Sequence, residues 1–326
     1  MKFGVLQFFS WPERRIPLPE VYQRALQRIA IMDQGGYDAV WLAEHHFSTY
    51  SVCPSVHLMG MHVADKTEHL RIGMGVSLAA FYHPLRLAEE VALLDNLSGG
   101  RINWGAGRGF DRTEMENFGV PVDESYERFR ENVDIVLQAW KPGALTYHGK
   151  FHQFDNVEVL PKPLQDPMPV WMATTTEEAV RWSAQQGLSI LMDPHSSHQH
   201  IGEKQLLYSQ ALQQTEQTQQ PDIPVARLLA IADTDAQAEA IALAGAKWTV
   251  EGYASNKKAG GPESVIPTED RVEHYMNEVI IHGSPARVVD QLRQLEEEIN
   301  LNYLLASILS HETFIQLTDH VLPEFA

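Results

Sequence analysis

Val40-Trp41-Leu42-Ala43-Glu44-His45-His46-Phe47 runs from four apolar residues into a carboxylate and two adjacent imidazoles. An imidazole gains and loses a proton near neutral pH, so a histidine at the end of a rigid strand is equipped for general acid/base work. In parallel α/β proteins the carboxyl ends of the strands carry the reacting groups, which would stand Glu44-His45-His46 in a pocket. The same tripeptide also suits a strand that meets a polar loop, its rings bonded to backbone carbonyls.

Two further runs have the makings of an anion site. Gly105-Ala106-Gly107-Arg108-Gly109-Phe110 follows a strand, but its third glycine position is Phe110 and no acidic partner stands on a convincing strand beyond it. A dinucleotide fingerprint is therefore not met. The glycines still let backbone approach an anion, and Arg108 is a permanently charged, bidentate donor suited to phosphate, although a plain turn arginine fits as well. In Thr174-Thr175-Thr176-Glu177-Glu178, hydroxyls, unpaired N–H groups and the positive end of a helix converge. That run also reads as a capping box, Thr174 with Glu177 or Thr175 with Glu178.

Other chemistries find less support. Glu44, His45, His46, His57, His62, His83 and the histidine-rich run 195–200 are possible metal ligands. Yet adjacent residues on a strand point to opposite faces and no HExxH spacing occurs, so no metal is expected and the run near His195 reads as a polar loop. There is no G-x-S-x-G elbow, and the lone Cys53 reads as a small apolar filler.

Positioning these groups takes a regular alternation of strands and helices. Strands are expected over 3–9, 37–43, 70–77, 101–105, 170–173, 188–192, 225–231 and 303–308, with amphipathic helices between them. Gly73 and Gly75 inside the third strand mark a close approach of backbone or ligand. Eight such units in one chain of 326 residues point to a single (β/α)8 TIM barrel domain spanning 1–326, with insertions after strands four and seven. The first insertion is a proline-rich excursion over 141–168. The second, 255–270, is expected to act as a mobile lid.

Acidic residues outnumber basic ones 43 to 25, and the formal charge of -18 disfavours nucleic-acid phosphates and anionic membrane surfaces. A single cysteine excludes an intrachain disulfide. No apolar run approaches the roughly 18 residues that cross a bilayer, and the opening segment is shorter than a signal peptide, so a cytoplasmic location and small-molecule work are expected.

Met1-Lys2-Phe3-Gly4, the Trp41–Phe47 run, Tyr82-His83-Pro84-Leu85-Arg86-Leu87-Ala88-Glu89 and Leu97-Ser98-Gly99-Gly100-Arg101 with Gly107-Arg108-Gly109 resemble the bacterial luciferase-like flavin monooxygenase family in order and spacing. Pro169-Val170-Trp171-Met172-Ala173 and Gly283-Ser284-Pro285 resemble its later landmarks. The resemblance implies a barrel that binds reduced FMN at the carboxyl ends of its strands, lets it react with O2 to a flavin 4a-hydroperoxide, and oxygenates a small apolar or carbonyl substrate. A separate flavin reductase would supply the reduced FMN. Residue by residue, His45 matches the catalytic histidine, Gly75 and Val76 the segment against the isoalloxazine, often through a non-prolyl cis peptide, and Gly107 and Arg108 the phosphate loop. Thr175 and Thr176 fall on later phosphate positions, where luciferase itself has an acidic residue and a serine. Glu44 or His46 is expected to orient His45, and Phe47, Phe81 and Tyr82 to line the pocket. By the same resemblance the protein is a homo-oligomer. The alternatives are a hydride-transfer oxidoreductase using the deazaflavin coenzyme, and a flavin-binding barrel without turnover.

Overall fold

The computed structural model describes residues 1–215, 222–255 and 271–325. Its strands are Lys2–Gln7 (β1), Ala39–Leu42 (β2), Arg71–Met74 (β3), Ser77–Leu78 (β4), Ile102–Gly107 (β5), Leu145–His148 (β6), Gln153–Val157 (β7), Val170–Thr174 (β8), Ser189–Met192 (β9), Val225–Ile231 (β10), Ile281–Gly283 (β11) and Tyr303–Ile308 (β12). Eight of them, in the order β1-β2-β3-β5-β8-β9-β10-β12, pair in parallel, and β12 closes the ring on β1. This is the expected (β/α)8 barrel. Its strands read as nearly unbroken apolar runs because helices cover one face and the barrel interior the other.

The helices are Leu18–Gln34 (α1), Val56–Lys66 (α2), Pro84–Leu97 (α3), Arg112–Asn117 (α4), Ser125–Ala139 (α5), Glu177–Gln185 (α6), His198–Leu212 (α7), Asp235–Ser255 (α8), Arg271–His274 (α9), Pro285–Ile299 (α10) and His311–Gln316 (α11). Those flanking the barrel bury one stripe each: Val21, Ala25, Ile29 and Met32 on α1, and Val288, Leu292, Leu295 and Ile299 on α10. That 3–4 spacing is what an amphipathic helix needs to dock on a sheet. Ser55 begins α2 by accepting from the Leu58 N–H at 3.2 Å, and Asn300 ends α10 in the left-handed conformation.

Inside the barrel, Leu6, Ala39, Trp41, Leu191, Tyr303 and Leu305 form a second, smaller core. Trp41 fills its middle, stacked edge-on against Trp171 with centroids 5.3 Å apart. A Cβ at Gly73 would lie 2.2 Å from the Trp41 ring, so the close approach at that glycine is made by an indole. The proline-rich excursion contains an antiparallel hairpin, β6 with β7, which strand-helix alternation does not reveal. The short β11 adds a parallel strand beside β10. Apart from Ser255 at the end of α8, the segment 255–270 lies outside the described residues. No described helix is long and apolar enough to cross a membrane.

Candidate active site

His45, Gly75, Val76, Gly107, Arg108, Thr175 and Thr176 all line one cavity at the carboxyl ends of the barrel strands. The ring order explains the grouping. Arg108 follows β5 and the threonines end β8, and these strands are neighbours, while His45 follows β2 on the far side of β3.

Around His45 the chain gathers aromatic rings and one carboxylate. Phe8 stacks on the His45 ring and Tyr50 meets it edge-on, with centroids 5.9 and 5.2 Å away. The expected orienters, Glu44 and His46, turn to each other instead: Glu44 Oε1 lies 3.0 Å from His46 Nε2. Glu44 also accepts from the Tyr82 hydroxyl at 2.9 Å and from the Leu78 N–H at 3.1 Å, so its capacity goes into the wall. Burial and the Glu44 charge push the Tyr82 phenol well above its usual range, which keeps it a donor. The carboxylate beside His45 is Glu114, whose Oε1 lies 3.8 Å from His45 Nδ1 and accepts from the His46 N–H at 2.8 Å. Sequence spacing gave no hint of Glu114. It arrives on α4, a short helix that starts because Asp111 accepts from the Thr113 N–H at 2.7 Å.

The second corner gathers hydrogen-bond donors. Arg108 Nη1 donates to Ser125 Oγ at 3.2 Å, and burial lowers its pKa from the ordinary guanidinium value. Helix α6 starts at Glu177, and its cap is Thr176, which accepts from the Ala179 N–H at 3.2 Å. Neither expected capping pair, Thr174 with Glu177 or Thr175 with Glu178, forms the cap. The buried Thr174 Oγ1 lines the cavity without a partner among the described residues. A second guanidinium, which sequence reasoning missed, stands close by: Arg130 lies over the rings of Tyr126 and Trp182, 4.4 and 5.2 Å from their centroids, with its Nε also unpartnered among the described residues. One of its Nη atoms donates to Glu178 at 2.8 Å.

Elsewhere the lining is largely apolar: Leu6, Phe8, Val76, Phe110, Phe129, Trp182, Leu191 and Met192. Phe47, Phe81 and Tyr82 are not part of it. Phe47, 65% exposed, and Phe81 both pack on Phe118 instead, and Tyr82 is occupied with Glu44. The histidine-rich run is more than a polar loop, because Asp193, Pro194 and His195 line the cavity. The Tyr275 hydroxyl lies 2.8 Å from His195 Nδ1, and buried Lys204, 3.2 Å away, helps hold Asp193 well below the usual carboxylate range against the cost of burial. Among the described residues no group of three or more His, Cys, Asp or Glu could hold a metal.

These residues fit a flavin phosphate and ring system. The Arg108 guanidinium, the Thr174 hydroxyl and the N-terminus of α6 supply donors with unspent capacity. At Gly107 a Cβ would sit 2.5 Å from Val76 Cγ2, so the cavity floor admits no side chain there. The Gly75–Val76 peptide beside it is cis.

Residues 1–299 match the family model described as luciferase-like monooxygenase. The chain is 30% identical over 227 residues to the oxygenase component of the flavin-dependent trigonelline monooxygenase of Acinetobacter baylyi, a match covering 68% of this chain and 63% of that one. It spans less than two thirds of the length of the first curated relatives it matches. Among solved structures, the monooxygenase RslO1 from Streptomyces bottropensis superposes with a TM-score of 0.87 at 24% identity, covering 100% of both chains. The oxygenating constituent of 3,6-diketocamphane monooxygenase from Pseudomonas putida, in complex with FMN, does so with a TM-score of 0.80 at 18% identity over 99% of each. At those identities the superpositions speak to the fold.

Proposed function

Because the chain belongs to the luciferase-like monooxygenase family, we propose that it is the oxygenase of a two-component, FMN-dependent monooxygenase. It would take reduced FMN from a separate flavin reductase and use O2 to oxygenate a small apolar or carbonyl substrate. The observation that carries this reading is one cavity joining an anion corner, with Arg108 and the three threonines, to an imidazole backed by a buried carboxylate. The relative described as an oxygenase component supports the two-component arrangement.

In this reading Arg108, Thr174, Thr175, Thr176 and the N-terminus of α6 hold the phosphate, while Gly75, Val76 and Gly107 form the surface for the flavin ring. Reduced FMN, when bound, supplies the electrons for oxygen chemistry. His45 holds or delivers a proton at the reacting centre, its ring clamped by Phe8 and Tyr50 and its Nδ1 3.8 Å from Glu114 Oε1. The apolar lining limits water and favours an apolar substrate. Leu58 and Met61 on α2 and Leu93 and Leu97 on α3 are exposed on adjacent helices, Leu58 to 77%, which supports a homo-oligomer joined at that face.

The test is anaerobic titration with reduced FMN and, separately, with the reduced deazaflavin coenzyme. Tight binding of FMN that is lost in Arg108→Ala supports the reading. Preference for the deazaflavin overturns it in favour of oxygen-independent hydride transfer.

A further inference from the structure

Strand β3 stops at Met74, and the barrel wall resumes as the two-residue β4, which pairs with β5 alone, Ser77 opposite Ala106 and Leu78 opposite Gly107. With no second ladder on β4 among the described residues, side chains do the holding. The Leu78 N–H donates to Glu44 Oε2 at 3.1 Å, and Ser77 Oγ lies 2.9 Å from His57 Nε2. The other nitrogen of His57 lies 3.2 Å from Glu90 Oε2, and Glu90 Oε1 accepts from Arg86 Nε at 2.6 Å. Ser77 is 0% exposed and His57 6%.

A carboxylate on Nδ1 claims the ring proton there, which leaves Nε2 to accept the serine hydroxyl. This bonding order activates a serine in hydrolases. Here Ser77 is sealed from solvent and does not line the cavity, so no acyl group reaches it. The order instead makes a fixed tie between α3, α2 and β4. A buried polar tie adds little net stability over apolar packing of the same volume, but it specifies position to within hydrogen-bond tolerance. What it positions is the segment whose other residues, Gly75, Val76 and Leu78, line the cavity.

We propose that Glu90, His57 and Ser77 are positioning residues that set the Gly75–Leu78 wall against the bound flavin. The inference rests on the reading of the cavity as a flavin site. Losing the tie lets the wall shift and weakens flavin binding while leaving the barrel folded.

The test is anaerobic titration of the full chain with reduced FMN, with Kd read by ultrafiltration and the environment of the flavin by its near-ultraviolet absorbance, alongside thermal unfolding. Ser77→Ala and His57→Leu are expected to raise Kd about threefold to tenfold, in keeping with one lost hydrogen bond, and to shift the absorbance of the bound flavin. His57→Gln, which can still donate and accept, should recover part of the loss. If Ser77→Ala and His57→Leu bind as the wild type does with an unchanged spectrum, while Arg108→Ala loses binding, the tie is purely structural and the inference is overturned. If the wild type fails to bind, or Arg108→Ala binds equally well, the flavin reading itself falls and takes the inference with it.

Discussion

Gly107→Ala adds one methyl group at the most crowded point of the cavity floor. The new Cβ would stand 2.5 Å from Val76 Cγ2, 3.4 Å from Val76 Cβ and 3.6 Å from Ala173 Cβ. Carbon atoms rest at roughly 3.5–4.0 Å, so Val76 must retreat by about 1 Å or more. Overpacking of this kind costs about 1–3 kcal/mol. Because Val76 faces the cavity, much of that strain relaxes into the space proposed for the flavin, and at about 1.4 kcal/mol per tenfold, affinity for reduced FMN should fall roughly fivefold to a hundredfold. Thermal unfolding should shift by only a few degrees. The assay is a double-mutant cycle with Val76→Ala, in which removal of the two methyl groups relieves the clash and recovers affinity in the Gly107→Ala background. Unchanged affinity and unchanged unfolding in Gly107→Ala would refute the reasoning, as would two substitutions whose effects simply add.

Glu44→Ala strips the acceptor from Tyr82, His46 and the Leu78 N–H at once, and should cost about 3 kcal/mol or more in urea denaturation; a loss below 1 kcal/mol would mean those donors find other partners. The hydrogen bond from His57, with help from Arg86, pulls the Glu90 carboxyl down from 4.5 to about 2. A lowered folded-state value gives stability that is complete above pH 4.5 and is lost as the pH falls towards 2, so Glu90→Gln should flatten the acid-side decline of unfolding free energy in that window. Equal slopes for the two proteins would contradict the assignment. If α2 and α3 form the oligomer face, Leu58→Asp with Leu97→Asp should reduce the mass seen by light scattering to that of one chain, with an unchanged circular dichroism spectrum.

The strands of the barrel were readable because each is a short apolar run closed by a turn residue or a helix stripe. Val225–Ile231 and Tyr303–Ile308 lie where their patterns place them. Two backbone-level features were also legible: Gly75, because a missing side chain in a strand marks a close approach, and Gly107, because glycines following a strand let backbone approach an anion. What failed was partner choice across distance. Glu114 reaches His45 from a six-residue helix, and nothing in its local sequence distinguishes it from Glu116 on the surface. Arg130 and His195 were hidden for the same reason: one sits on a helix face, the other in a histidine-rich loop, and only the closed ring brings them to the cavity region. Phe47 shows the converse error, a residue next to the histidines in sequence that turns outward at a positive φ of 55°.

The central claim is that this cavity holds reduced FMN and governs its reaction with oxygen. Mixing the protein and reduced FMN anaerobically, then adding oxygenated buffer in a stopped-flow instrument, tests it most directly. The account predicts that flavin absorbance returns to the oxidised form more slowly with protein than without, and that Arg108→Ala abolishes the difference. Reoxidation at the rate of free flavin in the presence of saturating wild-type protein would contradict it.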